Sequence, residues 1–385
     1  MKVTGMLIFF HCGANTGYAI ASLEKVFFEV AKRILPKQNQ IHFAYASLGK
    51  DRPTTLPADF QNIIQFDPRD GSLENLNFIE DYIKQHKINV AFGFDQPVSQ
   101  PVYKTMRRSG VERIIAYWGA PMGDLNRGLK LWLKRLGVRL QVNKPDHFIF
   151  ESYSMAETAV NGRGINKRDV STVYLGVDTR KYTPPVTKDF YAHDLFRIHK
   201  DRKILFYSGH MEERKGVHVI IKAAVELLLQ RQRKNIHFLL LGNKEGEEKR
   251  FDALYLGTEA EKYITFGGYR NDIPHILRSC YAGVIASTGW DSFTMSSVEM
   301  AASGLPLVVS NLQGLAETVV DGKTGYLFRP GDHQDLCDKL ESILSDQGGR
   351  QSMSEAARLR VEKYHTVEKQ IENITAVVKQ VINDG

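Results

Sequence analysis

Short runs of Val, Ile, Leu and Phe recur along the chain, and each flows into a turn and then an amphipathic stretch of helical period. Val3 to Phe10 reads as a first strand, His11 to Gly17 as a tight loop and Tyr18 to Leu35 as a helix. Further strands are predicted at Ile41–Ser47, Asn89–Phe94, Arg113–Tyr117 and His147–Phe150, with helices at Ser72–His86 and Pro97–Ser109 between them. The pattern restarts with a strand at Lys203–Ser208, a helix at Val217–Leu229, and strands at His237–Leu241, Ile264–Tyr269 and Gly283–Ser287. This alternation of strands and helices indicates a parallel sheet with helices on both faces, so the expected class is doubly wound α/β.

The most informative stretch is Trp290-Asp-Ser-Phe-Thr-Met-Ser-Ser-Val-Glu-Met-Ala-Ala-Ser-Gly304, which leads into Leu305–Ser310. It reads as a loop, a helix over Thr294–Ala302 with Ser292 or Thr294 as its cap, a stop at Gly304, and a buried strand. The N–H groups of Phe293, Thr294 and Met295 at the helix start can hold a diphosphate. Glu299 can accept two ribose hydroxyls, and Asp291 the hydroxyls of a second sugar. The plainer alternative makes Glu299 an ordinary helix residue and Asp291 a loop acid.

This stretch resembles the signature of the retaining glycosyltransferases of family 4, an acid, seven residues, Glu, and then Ala-Ser/Cys-Gly-x-Pro-Val. The usual first acid is Glu, and here it is Asp291, one methylene shorter. Gly209-His-Met-Glu-Glu-Arg-Lys-Gly216 resembles the family's Gly-Arg-Leu-x-x-x-Lys-Gly loop, whose Arg and Lys neutralise the diphosphate. Lys215 matches, His210 stands in place of the Arg, and Arg214 is a neighbouring substitute. Gly325-Tyr-Leu-Phe328 after Glu317 matches a further passage, and Gly176-Val-Asp…Pro184-Pro185 resembles the family's interdomain segment.

The resemblance implies a GT-B fold, two Rossmann-like doubly wound domains facing a cleft, with a C-terminal helix returning to the first domain. The expected division is an acceptor-binding domain over 1–183, a nucleotide-sugar-binding domain over 184–365, and the helix within 366–385. It implies Asp291, Lys215 and His210 as catalytic residues. It implies donor contacts from Gly13, Asn15, Gly17, Gly209, Arg214, Tyr269, Arg270, Ser292, Phe293, Thr294, Met295 and Glu299. The Gly13–Gly17 loop can equally be a simple strand-to-helix turn. Where relatives often carry a donor-contacting His, this chain has Trp118-Gly-Ala-Pro121, and Trp118 stacks on a sugar or belongs to the core.

The activity implied is transfer of a hexose, with retention, from a UDP- or GDP-sugar to a glycan or lipid-linked acceptor in polysaccharide or glycolipid synthesis. A non-catalytic nucleotide-sugar-binding protein is the alternative. No Asp-x-Asp occurs, so no metal or other cofactor is expected.

A net charge of +7 calls for something acidic as partner. Over Asn126–Leu140, Arg127, Lys130, Lys134, Arg135 and Arg139 fall on one broad side of a helix, opposite Leu129, Trp132, Leu133, Leu136 and Leu140. Such a helix either packs its apolar side on the sheet or touches anionic lipid or a lipid-linked acceptor. No nucleic-acid signature accompanies the charge, and no nucleic-acid partner is expected. The three cysteines, Cys12, Cys280 and Cys337, form neither a disulfide framework nor a zinc set, which suits a reducing compartment. Val3–Phe10 is short and flows into a Gly-rich loop, so it reads as a first buried strand rather than a signal peptide, and no run approaches the ~18 apolar residues of a membrane span. The expected location is cytoplasmic, with peripheral contact to the membrane.

Overall fold

The computed structural model describes residues 1–49 and 52–384. The chain divides into two compact units. One is Met1–Tyr174 with the segment from Val367 onward, and the other is Leu175–Thr366.

The first unit holds seven parallel strands: β1 (Met6–Gly13), β2 (Ile41–Ser47), β3 (Ile63–Gln65), β4 (Val90–Phe94), β5 (Arg113–Trp118), β6 (His147–Phe150) and β7 (Val170–Thr172). Their order is β3-β2-β1-β4-β5-β6-β7. The second unit holds β8 (Lys203–Ser208), β9 (Ile236–Leu241), β10 (Ile264–Phe266), β11 (Cys280–Ile285), β12 (Leu307–Ser310) and β13 (Gly325–Phe328). They are ordered β10-β9-β8-β11-β12-β13, again all parallel. The strand order reverses between β1 and β4 in one unit and between β8 and β11 in the other. Ligands of such sheets bind beyond the strand C-termini at these reversals.

Central strands are apolar on both faces because helices cover both. Met6 to Phe10 and Ile236 to Leu240 are wholly buried, apart from the neutral His237 among the latter. Burial pushes the imidazole of His237 down to about 3, with the neighbouring Arg202 charge adding to it.

Several boundaries differ from expectation. β1 begins at Met6 rather than Val3 and runs on through His11 to Gly13, because β2 still pairs with it at Gly13. The third helix starts at Pro101, not Pro97, since proline suits the first helical turn. The edge strands β3 and β7, each of three residues, carry no sequence signal of their own.

The expected boundary at 183/184 is corrected to 174/175. Residues 175–183 are tied onto the second unit. Val177 N donates to His365 O at 2.8 Å, and the Arg358 guanidinium donates to Thr179 O at 3.0 Å and Tyr182 O at 2.6 Å. The C-terminal helix, Val367–Asn383, belongs to the first unit. Its stripe of Ile371, Ile374, Val378 and Ile382 is buried against the helix Tyr18–Ile34, and Arg113 Nε donates to Val381 O at 3.0 Å. Among the described residues, no helix is long and apolar enough to cross a membrane.

Candidate donor site at the β8/β11 reversal

Two loops leave adjacent strands at the reversal of the second sheet. Residues 209–216 follow β8, and residues 286–294 follow β11. Arg214 O accepts from Thr288 N at 2.7 Å, joining the loops. The Arg214 guanidinium donates to Trp290 O at 3.1 Å, stacks 4.2 Å from the Trp290 ring, and pairs with Glu212 at 2.7 Å. Arg214, which the resemblance implies as a donor contact, thus ties the two loops together.

The clamp places Lys215 against Asp291. Lys215 Nζ lies 2.9 Å from both Oδ1 and Oδ2. Ser287 Oγ donates to Asp291 Oδ2 at 2.6 Å, and Ser292 N to Oδ1 at 3.2 Å. Asp291 is 4% exposed. A carboxylate has about four lone-pair positions, and these contacts use them. The Asp291 backbone is held as well, its N–H donating to Gln313 Oε1 at 3.2 Å and its carbonyl accepting from Gly314 N at 3.2 Å. Ser287 and Gln313 were not singled out in the sequence. Ser287 was legible only as the end of a predicted strand, four residues before Asp291.

Gly216 makes the approach possible. Its φ is +68°, and a Cβ there would lie 1.7 Å from Ala286 O.

The helix after the second loop is Met295–Ala302, with Thr294 as N-cap. Thr294 Oγ1 bonds Ser297 Oγ at 2.6 Å, and its side chain makes no capping bond to the helix start. Of the two expected caps, Thr294 holds the position without the capping bond. Phe293 is buried, its ring 5.0 Å from that of His365, so its side chain belongs to the core. Glu299 lies in the second turn of the helix, 7% exposed.

Gly209 sits beside the β9 and β10 loops. Gly209 N donates to Leu241 O at 3.1 Å, and Gly242 N to Gly268 O at 2.8 Å. Tyr269, next to Gly268, is exposed, while Arg270 is engaged by Asp272 through bonds of 2.8 and 2.6 Å. That pairing pulls the Asp272 carboxyl down to about 2. His210 is exposed, and its carbonyl accepts from Tyr207 Oη at 2.7 Å.

The remaining predicted residues lie on the first unit. Gly13 ends β1, and Asn15 and Gly17 follow it at that sheet's reversal. Asn15 has φ +58° and takes Thr54 N at 3.0 Å on its Oδ1, a local loop tie. Trp118 ends β5 half-buried, packed on the cluster of Val138, Phe148 and Phe150, with its indole N–H enclosed. It is chiefly a core residue. Arg127, Lys130 and Arg135 are exposed and Lys134 half-exposed, on or beside the helix Gly128–Arg139. Of the two alternatives the sequence leaves open for that helix, packing through its leucines is not the one seen, since Val138 alone of its residues is fully buried.

Residues 193–360 match the family model described as glycosyl transferases group 1. The match spans less than half of the chain. It holds every residue of the Lys215–Asp291 site and the helix bearing Glu299.

A D-inositol 3-phosphate glycosyltransferase of Corynebacterium aurimucosum is 30% identical over 217 residues, 54% of this chain and 51% of that protein. The chain thus spans about half the length of this curated relative. Among solved structures, a glycosyltransferase from Rickettsia africae superposes with a TM-score of 0.80 at 16% identity, covering 99% of this chain and 100% of the other. Anabaena Alr3699/HepE in complex with UDP superposes with a TM-score of 0.77 at 16% identity, covering 98% and 100%. The same Anabaena protein has also been solved with UDP-glucose. The fold is GT-B, and the matched residues 193–360 lie within its second parallel-sheet unit.

Proposed function

We propose that this protein is a retaining glycosyltransferase. It moves a hexose from a nucleotide diphosphate sugar to a glycan or lipid-linked acceptor, in cell-surface polysaccharide or glycolipid synthesis. The observation that carries this reading is the Lys215–Asp291 pair beside the N-terminus of the helix Met295–Ala302 at the reversal of the second sheet. UDP in a structural neighbour of the same fold supports UDP over GDP as the carrier.

Each group has a task. The helix start at Thr294 and Met295 and the ammonium of Lys215 bind the diphosphate and stabilise it as charge builds on departure. Glu299 accepts the ribose hydroxyls. Before the donor arrives, Lys215 is neutralised by Asp291. A diphosphate with more charge draws Lys215 to itself, which frees carboxylate lone pairs of Asp291 for hydroxyls of the donor sugar. The bond from the anomeric carbon to the diphosphate oxygen breaks on the face where the acceptor oxygen attacks, so configuration is kept. The acceptor proton passes to the leaving diphosphate oxygen. Lys215 and the helix dipole supply the positive field, and the mechanism requires no metal. His210 adds to that field when protonated.

The test is release of nucleoside diphosphate from a panel of nucleotide sugars by the purified protein. Release from one donor, lost in Lys215→Ala, is expected. The engaged state of Lys215 favours one other reading, a non-catalytic nucleotide-sugar binder. Tight binding of a donor with no release, across a panel of glycan and lipid-linked acceptors, would establish it instead.

A further inference from the structure

Five large apolar residues of the helix Gly128–Arg139 and its C-cap point to solvent: Leu129, Trp132, Leu133, Leu136 and Leu140. Leu129 and Leu140 are 72% and 70% exposed. At 3.6 residues per turn the five occupy an arc of about 100°. Leu125 before the helix and Val142 after it extend the patch and are exposed as well.

The arc is not exposed through loose attachment. The opposite edge, Leu131 and Val138, faces inward. The segment 158–164 supports the helix from behind, where Gly164 sits so close that a Cβ would come within 2.7 Å of Arg135 N. Asn126 fixes the entry, its N–H donating to Asn161 O at 2.8 Å and its Nδ2 to Gly162 O at 2.9 Å. A seated helix therefore presents its apolar side outward, the reverse of a helix that serves a core.

The charge around the arc names the occupant. Between Leu125 and Pro145 there are six basic residues and no acidic one. Lys130 borders the arc on one side and Arg139 on the other, and both are exposed. A band of leucines and one tryptophan between cations matches a bilayer, with acyl chains under the band and lipid phosphates at its borders.

We propose that the helix Gly128–Arg139 with its flanks is an interfacial anchor that docks on an anionic membrane surface, its axis in the membrane plane. The inference goes beyond the transferase reading and stands without it.

The experiment is co-sedimentation of the full chain with vesicles of phosphatidylcholine alone and of phosphatidylcholine mixed with phosphatidylglycerol. Binding to the mixed vesicles is expected, with affinity at least about tenfold lower for the neutral ones and falling as salt is raised. The Leu129→Ser/Trp132→Ser/Leu140→Ser variant is expected to lose binding by about tenfold or more, with an unchanged thermal melt because these side chains are exposed. Lys130→Glu/Arg139→Glu is expected to abolish the preference for phosphatidylglycerol. Three results would overturn the proposal: no binding to mixed vesicles, equal binding to both kinds, or wild-type binding by the triple variant. A lipid-free dimer that the triple variant dissociates would assign the face to a second copy of this chain instead.

Discussion

The ammonium of Lys215 sits 2.9 Å from each carboxylate oxygen of Asp291, in a pair that is 15% and 5% exposed at its side chains. Desolvation makes such a pair a modest net stabiliser, while loss of one partner strands the other. Asp291→Ala is expected to cost about 3–5 kcal/mol, read as a lower urea midpoint. Lys215→Met/Asp291→Leu is expected to recover most of that stability while remaining inactive. A double variant as unstable as the sum of the singles would show that the two groups are not coupled.

Glu299→Gln removes the charge and leaves the shape. If Glu299 holds the ribose, donor affinity falls roughly 10- to 100-fold with an unchanged melt, since charge-assisted hydrogen bonds are worth about 1.5–3 kcal/mol each. Calorimetric titration with the donor or free nucleoside diphosphate measures it. Unchanged affinity would return Glu299 to the role of an ordinary helix residue.

Gly216→Ala tests the close approach beneath the site. The added Cβ would overlap Ala286 O at 1.7 Å, in a backbone conformation with φ +68°. Strain and displacement together are expected to cost on the order of 3 kcal/mol or more, and turnover is expected to fall with the displaced Lys215. A melt within a degree or two of wild type would refute the packing.

Stability is expected to fall as the pH drops below about 6.5. His42 and His237 are buried, and burial lowers them to about 4 and about 3, with His86 and Arg202 adding to the effect. The unfolded chain takes up protons at the ordinary imidazole value, and the folded chain does not until the lower values are reached. Each group therefore removes on the order of 1.4 kcal/mol per pH unit across its own window. Urea melts from pH 7 to pH 4.5 check this, and His42→Phe is expected to flatten the slope. The Asp272 carboxyl, lowered to about 2 by Arg270, contributes stability above the usual carboxylate range and loses it only as the pH falls toward 2.

Donor turnover is expected to be unchanged by chelating agents. Lys215 and the helix start provide the positive field, and among the described residues no cluster of three metal-ligating side chains occurs. A chelator that abolishes turnover, with magnesium or manganese restoring it, would contradict the reading.

The alternation of strands and helices was legible because a doubly covered parallel sheet demands apolar runs at regular spacing, as in Ile236–Leu241 and Leu307–Ser310. The helix Met295–Ala302 was legible from its apolar period and its glycine stop at Gly304. The strands Ile63–Gln65 and Val170–Thr172 were not, since three edge residues carry too little pattern. Position alone also could not show that the arginine at 214 contacts Trp290 and Glu212.

By itself the sequence determined the class of fold, the order of its strands' parent segments and the identity of the residues near Glu299. These are local properties, set by periodicity, turn chemistry and residue spacing. Only the tertiary structure decided which charges meet. It joined Lys215 to Asp291, brought Ser287 under the same carboxylate, and tied residues 175–183 to the second unit through Arg358. It also decided which side of the helix Gly128–Arg139 faces water, because a helical period shows that two faces differ but not which one the neighbouring backbone covers.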